Sequence, residues 1–238
     1  MEPPRGTSFI PVDAGPVKRR NRGRSTYHPR MAETDLLLAS QNPGKLNEMR
    51  QLLAGLPFRV VGPIDLGIRD APDETGATFM ENALLKARHY AQRSGLLTIA
   101  DDSGLSVDAL GGGPGLHSSR FGGEGATDGD RNRLLLERLK GVPEPRRGAR
   151  FTSAVAVARG EDVLFQAEET VEGRIADAPR GPHGFGYDPI FFYPPFGTTF
   201  GEAAPEDKDR VSHRGKAFAR LRRFLTERAA RPRPASPS

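Results

Sequence analysis

Leu36-Leu37-Leu38-Ala39-Ser40-Gln41-Asn42-Pro43-Gly44-Lys45-Leu46-Asn47-Glu48-Met49-Arg50-Gln51-Leu52-Leu53 is the stretch on which the fold turns. Leu36–Ala39 reads as a short apolar strand. From Lys45 onward the period changes, with Leu46, Met49, Leu52 and Leu53 recurring at helical spacing. A polar turn joins the two. Strand, turn and helix in this order point to an α/β protein.

The flanking sequence extends that pattern. Phe58–Val61 reads as a second strand, and Thr78–Arg93 as a helix with Phe79, Ala83, Ala87 and Ala91 on one face and Asn82, Lys86, His89 and Arg93 on another. Leu96–Ala100 is an apolar strand that is expected to end in the acidic turn Asp101-Asp102-Ser103-Gly104. A Gly/Pro loop spans Gly111–Gly115, and a helix is expected near Thr127–Lys140. Phe151–Ala158 alternates and Val163–Ile175 continues in strand style, which predicts an antiparallel hairpin. Ile190–Tyr193 and Ser212–Arg228 complete the chain as a strand and a closing helix. The order favours a mixed central sheet with flanking helices. Residues 1–33 and 230–238, rich in Pro, Ser and Arg, read as disordered tails around one domain at 34–229.

Composition narrows the chemistry. The 238 residues contain no cysteine, so any metal must be held by oxygen or histidine ligands, which favours a hard cation. The mean hydropathy of −0.53 and the absence of a long apolar run argue against a membrane span. Net charge is +5, but residues 1–30 alone carry +5 and the stretch from Arg214 onward carries +7, leaving Met31–His213 near −7. An acidic body with basic ends does not make a nucleic-acid-binding face. The basic tail lacks the apolar segment of a secretory signal, and Met31, just before the first strand, is an alternative start.

Four segments could carry chemistry. Ser40-Gln41-Asn42-Pro43-Gly44-Lys45 presents a helix N-terminus and a lysine, which suits phosphate, although Ala39 and Leu46 break the Walker A pattern. Asp101 and Asp102 are adjacent carboxylates able to hold Mg²⁺ or orient water. Neighbours on a strand face opposite ways, so one is expected to be catalytic and the other structural. Gly184-Phe185-Gly186-Tyr187-Asp188 sets an aromatic ring between two glycines, a platform for a base. Lys208, His213 and Arg214 gather positive charge where the last helix begins. That opposes the macrodipole unless an anion or acceptor-rich ligand offsets it.

These segments, with Glu74-Thr75-Gly76, Thr78-Phe79, Glu81-Asn82-Ala83, Lys86-Ala87 and Ser212-His213-Arg214-Gly215, closely resemble in their order the inosine triphosphate pyrophosphatase family, also called dITP/XTP pyrophosphatases. The resemblance runs from about Leu36 to Leu225. It implies an elongated α/β fold with two lobes around a deep cleft, a homodimer in the cytoplasm, and Mg²⁺-dependent hydrolysis of ITP, dITP and XTP to the monophosphate and pyrophosphate. By the same resemblance Ser40, Gln41, Asn42, Pro43, Gly44 and Lys45 bind the triphosphate. Asp102 activates water and holds metal with Glu74, and Ser103 touches substrate. Phe185, Gly186, Tyr187 and Asp188 flank the base, while Lys208, His213 and Arg214 close over it and Lys86 adds charge. Gln41 stands where the family often has glycine.

Attack at the innermost phosphorus needs a positioned water and a neutralised leaving group, roles that suit Asp102, Lys45 and Mg²⁺. Donors from Lys208, His213 or Arg214 suit the C6 oxygen of hypoxanthine or xanthine and meet a donor in adenine. Two other readings remain open: a phosphatase or pyrophosphatase for other modified nucleotides, and an RNA-binding module working through the basic tails.

Overall fold

The computed structural model describes residues 35–230. The tails read at 1–33 and, beyond Ala230, at 230–238 lie outside them. A seven-stranded sheet organises these residues, in the order β2-β1-β3-β4-β5-β6-β7. Its strands are β1 (Asp35–Leu38), β2 (Arg59–Val61), β3 (Leu97–Val107), β4 (Gly148–Arg159), β5 (Asp162–Ile175), β6 (Phe191–Tyr193) and β7 (Thr198–Thr199). β1 pairs in parallel with β2 and β3, and every later pairing is antiparallel, so the sheet is mixed as expected.

Five helices flank it: α1 (Pro43–Leu52), α2 (Phe79–Ser94), α3 (Asp128–Arg138), α4 (Pro205–Val211) and α5 (His213–Ala230). Local chemistry starts each of the long ones. Asn42 Oδ1 accepts from Lys45 N at 3.0 Å, Thr78 Oγ1 accepts from Glu81 N at 3.1 Å, and Ser212 Oγ accepts from Gly215 N at 3.0 Å. Thr127 and Asp130 form a reciprocal capping box on α3. Gly95, at φ 69°, ends α2 in the left-handed region.

The period of two along β3 sorts the core. Leu97 and Ile99 join Leu36, Leu38, Met49, Val155, Val157, Phe218, Leu221 and Leu225 in one apolar cluster beneath α1 and α5. Each such side chain, fully buried, contributes about 1.5–3 kcal/mol. On the opposite face α2 packs on β3 and β4 through the buried small residues Ala83, Ala87 and Ala91. A second cluster, including Leu105, Leu135, Phe151, Tyr187, Phe191 and Phe200, lies under α3 and the far end of the sheet.

One sequence expectation changes. The acidic run is no strand end, because β3 continues through Asp101–Gly104 and pairs them with Val155, Ala154, Ser153 and Thr152. Lys208 lies on a short helix, α4, that precedes the last one. On α2, Asn82 is buried and Lys86 turns toward the sheet.

Candidate active site

Because β3 stays extended through the acidic pair, its two carboxylates face different helices. Asp101, 1% exposed, lies on the α5 side. Its Oδ1 accepts from Ser153 Oγ at 2.6 Å, and its Oδ2 meets Lys45 Nζ at 3.0 Å, Ser103 Oγ at 3.1 Å and Arg214 Nη2 at 3.4 Å. Burial alone would raise this carboxyl, but Arg214 and then Lys45 outweigh it and hold it well below the usual carboxylate range.

Asp102 looks the other way, toward α2. Its Oδ1 is 2.7 Å from Lys86 Nζ, which also reaches Glu74 Oε1 at 3.1 Å and the Asp101 carbonyl at 2.9 Å. Asn82 Nδ2 approaches Asp102 Oδ2 at 3.4 Å. Burial raises the Asp102 pKa, and Lys86 only partly offsets it. Burial also works against Glu74, yet Lys86 and Arg120 bring it below its ordinary value.

A cavity opens beside Ser103, Gly104 and Leu105 of β3, against Leu105, Phe151 and Tyr187 of the second apolar cluster. Of the residues singled out in the sequence, Asn42, Lys45, Ser103, Phe185, Gly186, Tyr187, Asp188, Lys208, His213 and Arg214 line it. Ser40, Gln41, Pro43, Gly44, Asp102 and Glu74 do not. Ser40 and Gln41 shape the turn: Ser40 Oγ accepts from Asn42 N at 3.2 Å, and Gln41 Nε2 donates to Arg69 O at 3.3 Å. Pro43 is the first residue of α1, and Gly44 lies under the Phe185 ring, where a Cβ would come 2.8 Å from Cγ.

Phe185 is held from several sides. Its amide donates to Asp188 Oδ2 at 2.9 Å, and Lys208 Nζ and the Arg214 guanidinium carbon lie 5.2 and 5.6 Å from its ring centroid. Next to it the Gly186 amide donates to Asp128 at 2.6 Å. Tyr187 Oη donates to the Ser118 carbonyl at 2.8 Å, fastening the wall opposite. The positive charge at the start of α5 needs no ligand to offset it: Arg214 Nη1 meets Glu48 at 2.5 Å, and Lys208 Nζ meets Asp188 at 2.7 Å and Glu48 at 3.2 Å. His213 stacks on Phe151 with centroids 4.7 Å apart, and its Nδ1 has no hydrogen-bond partner among the described residues. Burial, then Arg214 and Lys208, push its pKa well below 6.5, so the ring is neutral at neutral pH.

Glu48 is the principal residue that sequence reasoning passed over. It follows Lys45 by three positions on α1, which puts both on one side of the helix, and that spacing was its only signal. Asp128 and Arg131, which also line the cavity, lie at the start of α3 and were not singled out in the sequence.

A model of the Ham1 family matches residues 36–224. The chain belongs to the Ham1 family. Among Ham1-family relatives, a dITP/XTP pyrophosphatase of Methylococcus capsulatus is 51% identical over 188 residues, covering 78% of this chain and 93% of the relative. One from Thermus thermophilus is 48% identical over 186 residues, covering 78% and 89%. A solved Ham1 protein from Coxiella burnetii superposes with TM-score 0.73 at 42% identity, covering 81% of this chain and 98% of that one. No helix among the described residues is long and apolar enough to cross a membrane.

Proposed function

We propose that this chain hydrolyses the deaminated purine nucleoside triphosphates dITP, ITP and XTP to the monophosphate and pyrophosphate, through a single domain at 34–229. One observation carries the reading. The cavity joins the lysine of a strand-to-helix turn to an aromatic ring backed by two cations, while a carboxylate pair sits across the same strand. This arrangement supports a reading in which Lys45 meets phosphate, Phe185 the base and Asp102, on the other face of β3, the attacking water. Relatives named dITP/XTP pyrophosphatase, about half identical over most of their length, support the same substrate class.

Asp102 and Glu74 suit a divalent cation. Both are carboxylates converging on one ammonium, that of Lys86, so the structure already gathers positive charge between them. Among the described residues no cluster of three or more acidic, histidine or cysteine ligands exists, so phosphate oxygens and water must complete the shell, as Mg²⁺ commonly requires. When bound there, Mg²⁺ supplies charge to the phosphates and acidity to water.

The chain's own residues do the rest. Lys45 and the N-terminus of α1 attract the phosphates. Asp102, whose raised pKa marks a carboxylate poorly stabilised in its charged form, takes the proton of the attacking water. Phe185 stacks on the base, and Lys208, Arg214 and neutral His213 offer donors to a C6 oxygen. Adenine, with an amino group there, leaves those donors unpaired. The same reading carries a homodimer working on the cytoplasmic nucleotide pool, with no nucleic-acid partner.

The test is pyrophosphate release from dITP with and without Mg²⁺, beside ATP and GTP. Pyrophosphate from dITP and XTP at far higher kcat/KM than from ATP supports the proposal. Orthophosphate as the first product, or equal rates across bases, overturns it.

A further inference from the structure

The cations around the site differ in how firmly they are held. Lys208 is shared by Asp188 and Glu48, Arg214 by Glu48 and Asp101, and Lys86 by Asp102 and Glu74, and none of their side chains is more than 12% exposed. Lys45 is 15% exposed and bound to Asp101. Arg120 is 56% exposed, and its ion pair runs from Nη2 to Glu74 Oε2 at 2.8 Å. It ends the 3₁₀ turn Gly115–Arg120, whose Ser118 and Ser119 line the cavity.

Glu74 therefore serves two cations, one on each oxygen. A dication drawn to this carboxylate competes with both. Lys86 stays, because Asp102 and the Asp101 carbonyl also bind it. Arg120 gives up a single, partly exposed pair, which is the weaker tie. Its guanidinium would then be released next to Ser118 and Ser119, which line the cavity.

We propose that Arg120 is a further catalytic residue, exchanged from Glu74 onto the departing pyrophosphate. The inference rests on the pyrophosphate-releasing reading above. Water oxygen bonds to the α-phosphorus, and the bond from that phosphorus to the bridging oxygen breaks with its electron pair on pyrophosphate. The proton of water goes to Asp102. Arg120 moves no proton; it meets the developing negative charge with a planar fork of donors that fits two phosphate oxygens.

The experiment uses the full chain and its Arg120→Ala and Arg120→Lys variants. Binding of Mg²⁺-pyrophosphate and of dIMP is measured by calorimetry, and turnover of dITP across a Mg²⁺ series. Arg120→Ala is expected to weaken pyrophosphate at least about tenfold, to leave dIMP affinity unchanged, and to lower kcat by roughly 10²-fold at saturating Mg²⁺. Arg120→Lys should recover part of both. Unchanged pyrophosphate affinity overturns the proposal. So does a kcat loss that excess Mg²⁺ erases, since Arg120 would then only orient Glu74. A wild-type chain that yields no pyrophosphate from dITP defeats the functional reading instead, a failure seen before any variant is compared.

Discussion

Asp101 and Asp102 are consecutive in β3, yet one is enclosed by Lys45, Arg214 and two serine hydroxyls under α5, and the other faces Lys86 and Asn82 under α2. Their acidities move in opposite directions, down for Asp101 and up for Asp102. The fold stabilises the charge of the first and tolerates that of the second. Adjacent substitutions should therefore have unlike consequences.

Asp102→Asn removes the proposed base, a carboxylate whose charge the protein does not favour. It is expected to fold with an unchanged melting temperature and to lose roughly 10²–10⁴-fold in kcat, the usual worth of one general base. Steady-state kinetics on dITP with a parallel melt check this. Near-normal turnover would remove Asp102 from the chemistry.

Asp101→Asn leaves Lys45 and Arg214 close together around a neutral amide. Removing one partner of a buried pair costs about 3–5 kcal/mol, so the urea midpoint should fall sharply. A midpoint equal to that of Asp102→Asn would show that the network around Asp101 does not stabilise the fold.

His213 sets a pH dependence of stability. Its folded pKa lies well below 6.5 because of burial and then the neighbouring cations Arg214 and Lys208, which outweigh the opposing pull of Asp101, with a smaller contribution from Lys45. Between the two values the unfolded chain binds a proton that the folded chain refuses, so stability rises with pH up to about 6.5 and is flat above it with respect to this group. The slope approaches about 1.4 kcal/mol per pH unit for one proton. Subtracting the profile of His213→Gln from that of the wild type should isolate it. A difference that does not change between pH 5 and 7 would contradict the assignment.

Gly44→Ala places a methyl group 2.8 Å from Phe185 Cγ. The ring must shift, and with it the stack offered to the base. The expected result is a KM for dITP raised about tenfold with kcat less affected, because Asp102 lies on the other face of β3. A KM matching wild type would mean that the ring does not bind the base.

Much of this arrangement was legible in the residues. The change of period at Lys45, the helical spacing of Phe79, Ala83, Ala87 and Ala91 and the alternation in Phe151–Ala158 are local signals, and each led to an element of the right type. The acidic run was misread because Asp-Asp-Ser-Gly is turn chemistry in isolation. Here β4 supplies its backbone partners and Lys45, Lys86 and Arg214 its counter-charges, all distant in sequence. Glu48 was missed for the same reason, since Arg214 stands 166 positions away. α4, seven residues with five of them charged, offers no apolar period to detect.

The ion pairs that join Glu48 near the start of the sheet to Arg214 at the start of the last helix make the site a late product of synthesis. A chain emerging from the ribosome holds the Ser40–Lys45 turn and both aspartates long before α5 exists, and until then Lys45 and Asp101 lack Arg214. Release factors acting early, or a protease clipping ahead of α5, would thus leave polypeptide that is nearly full length and inert.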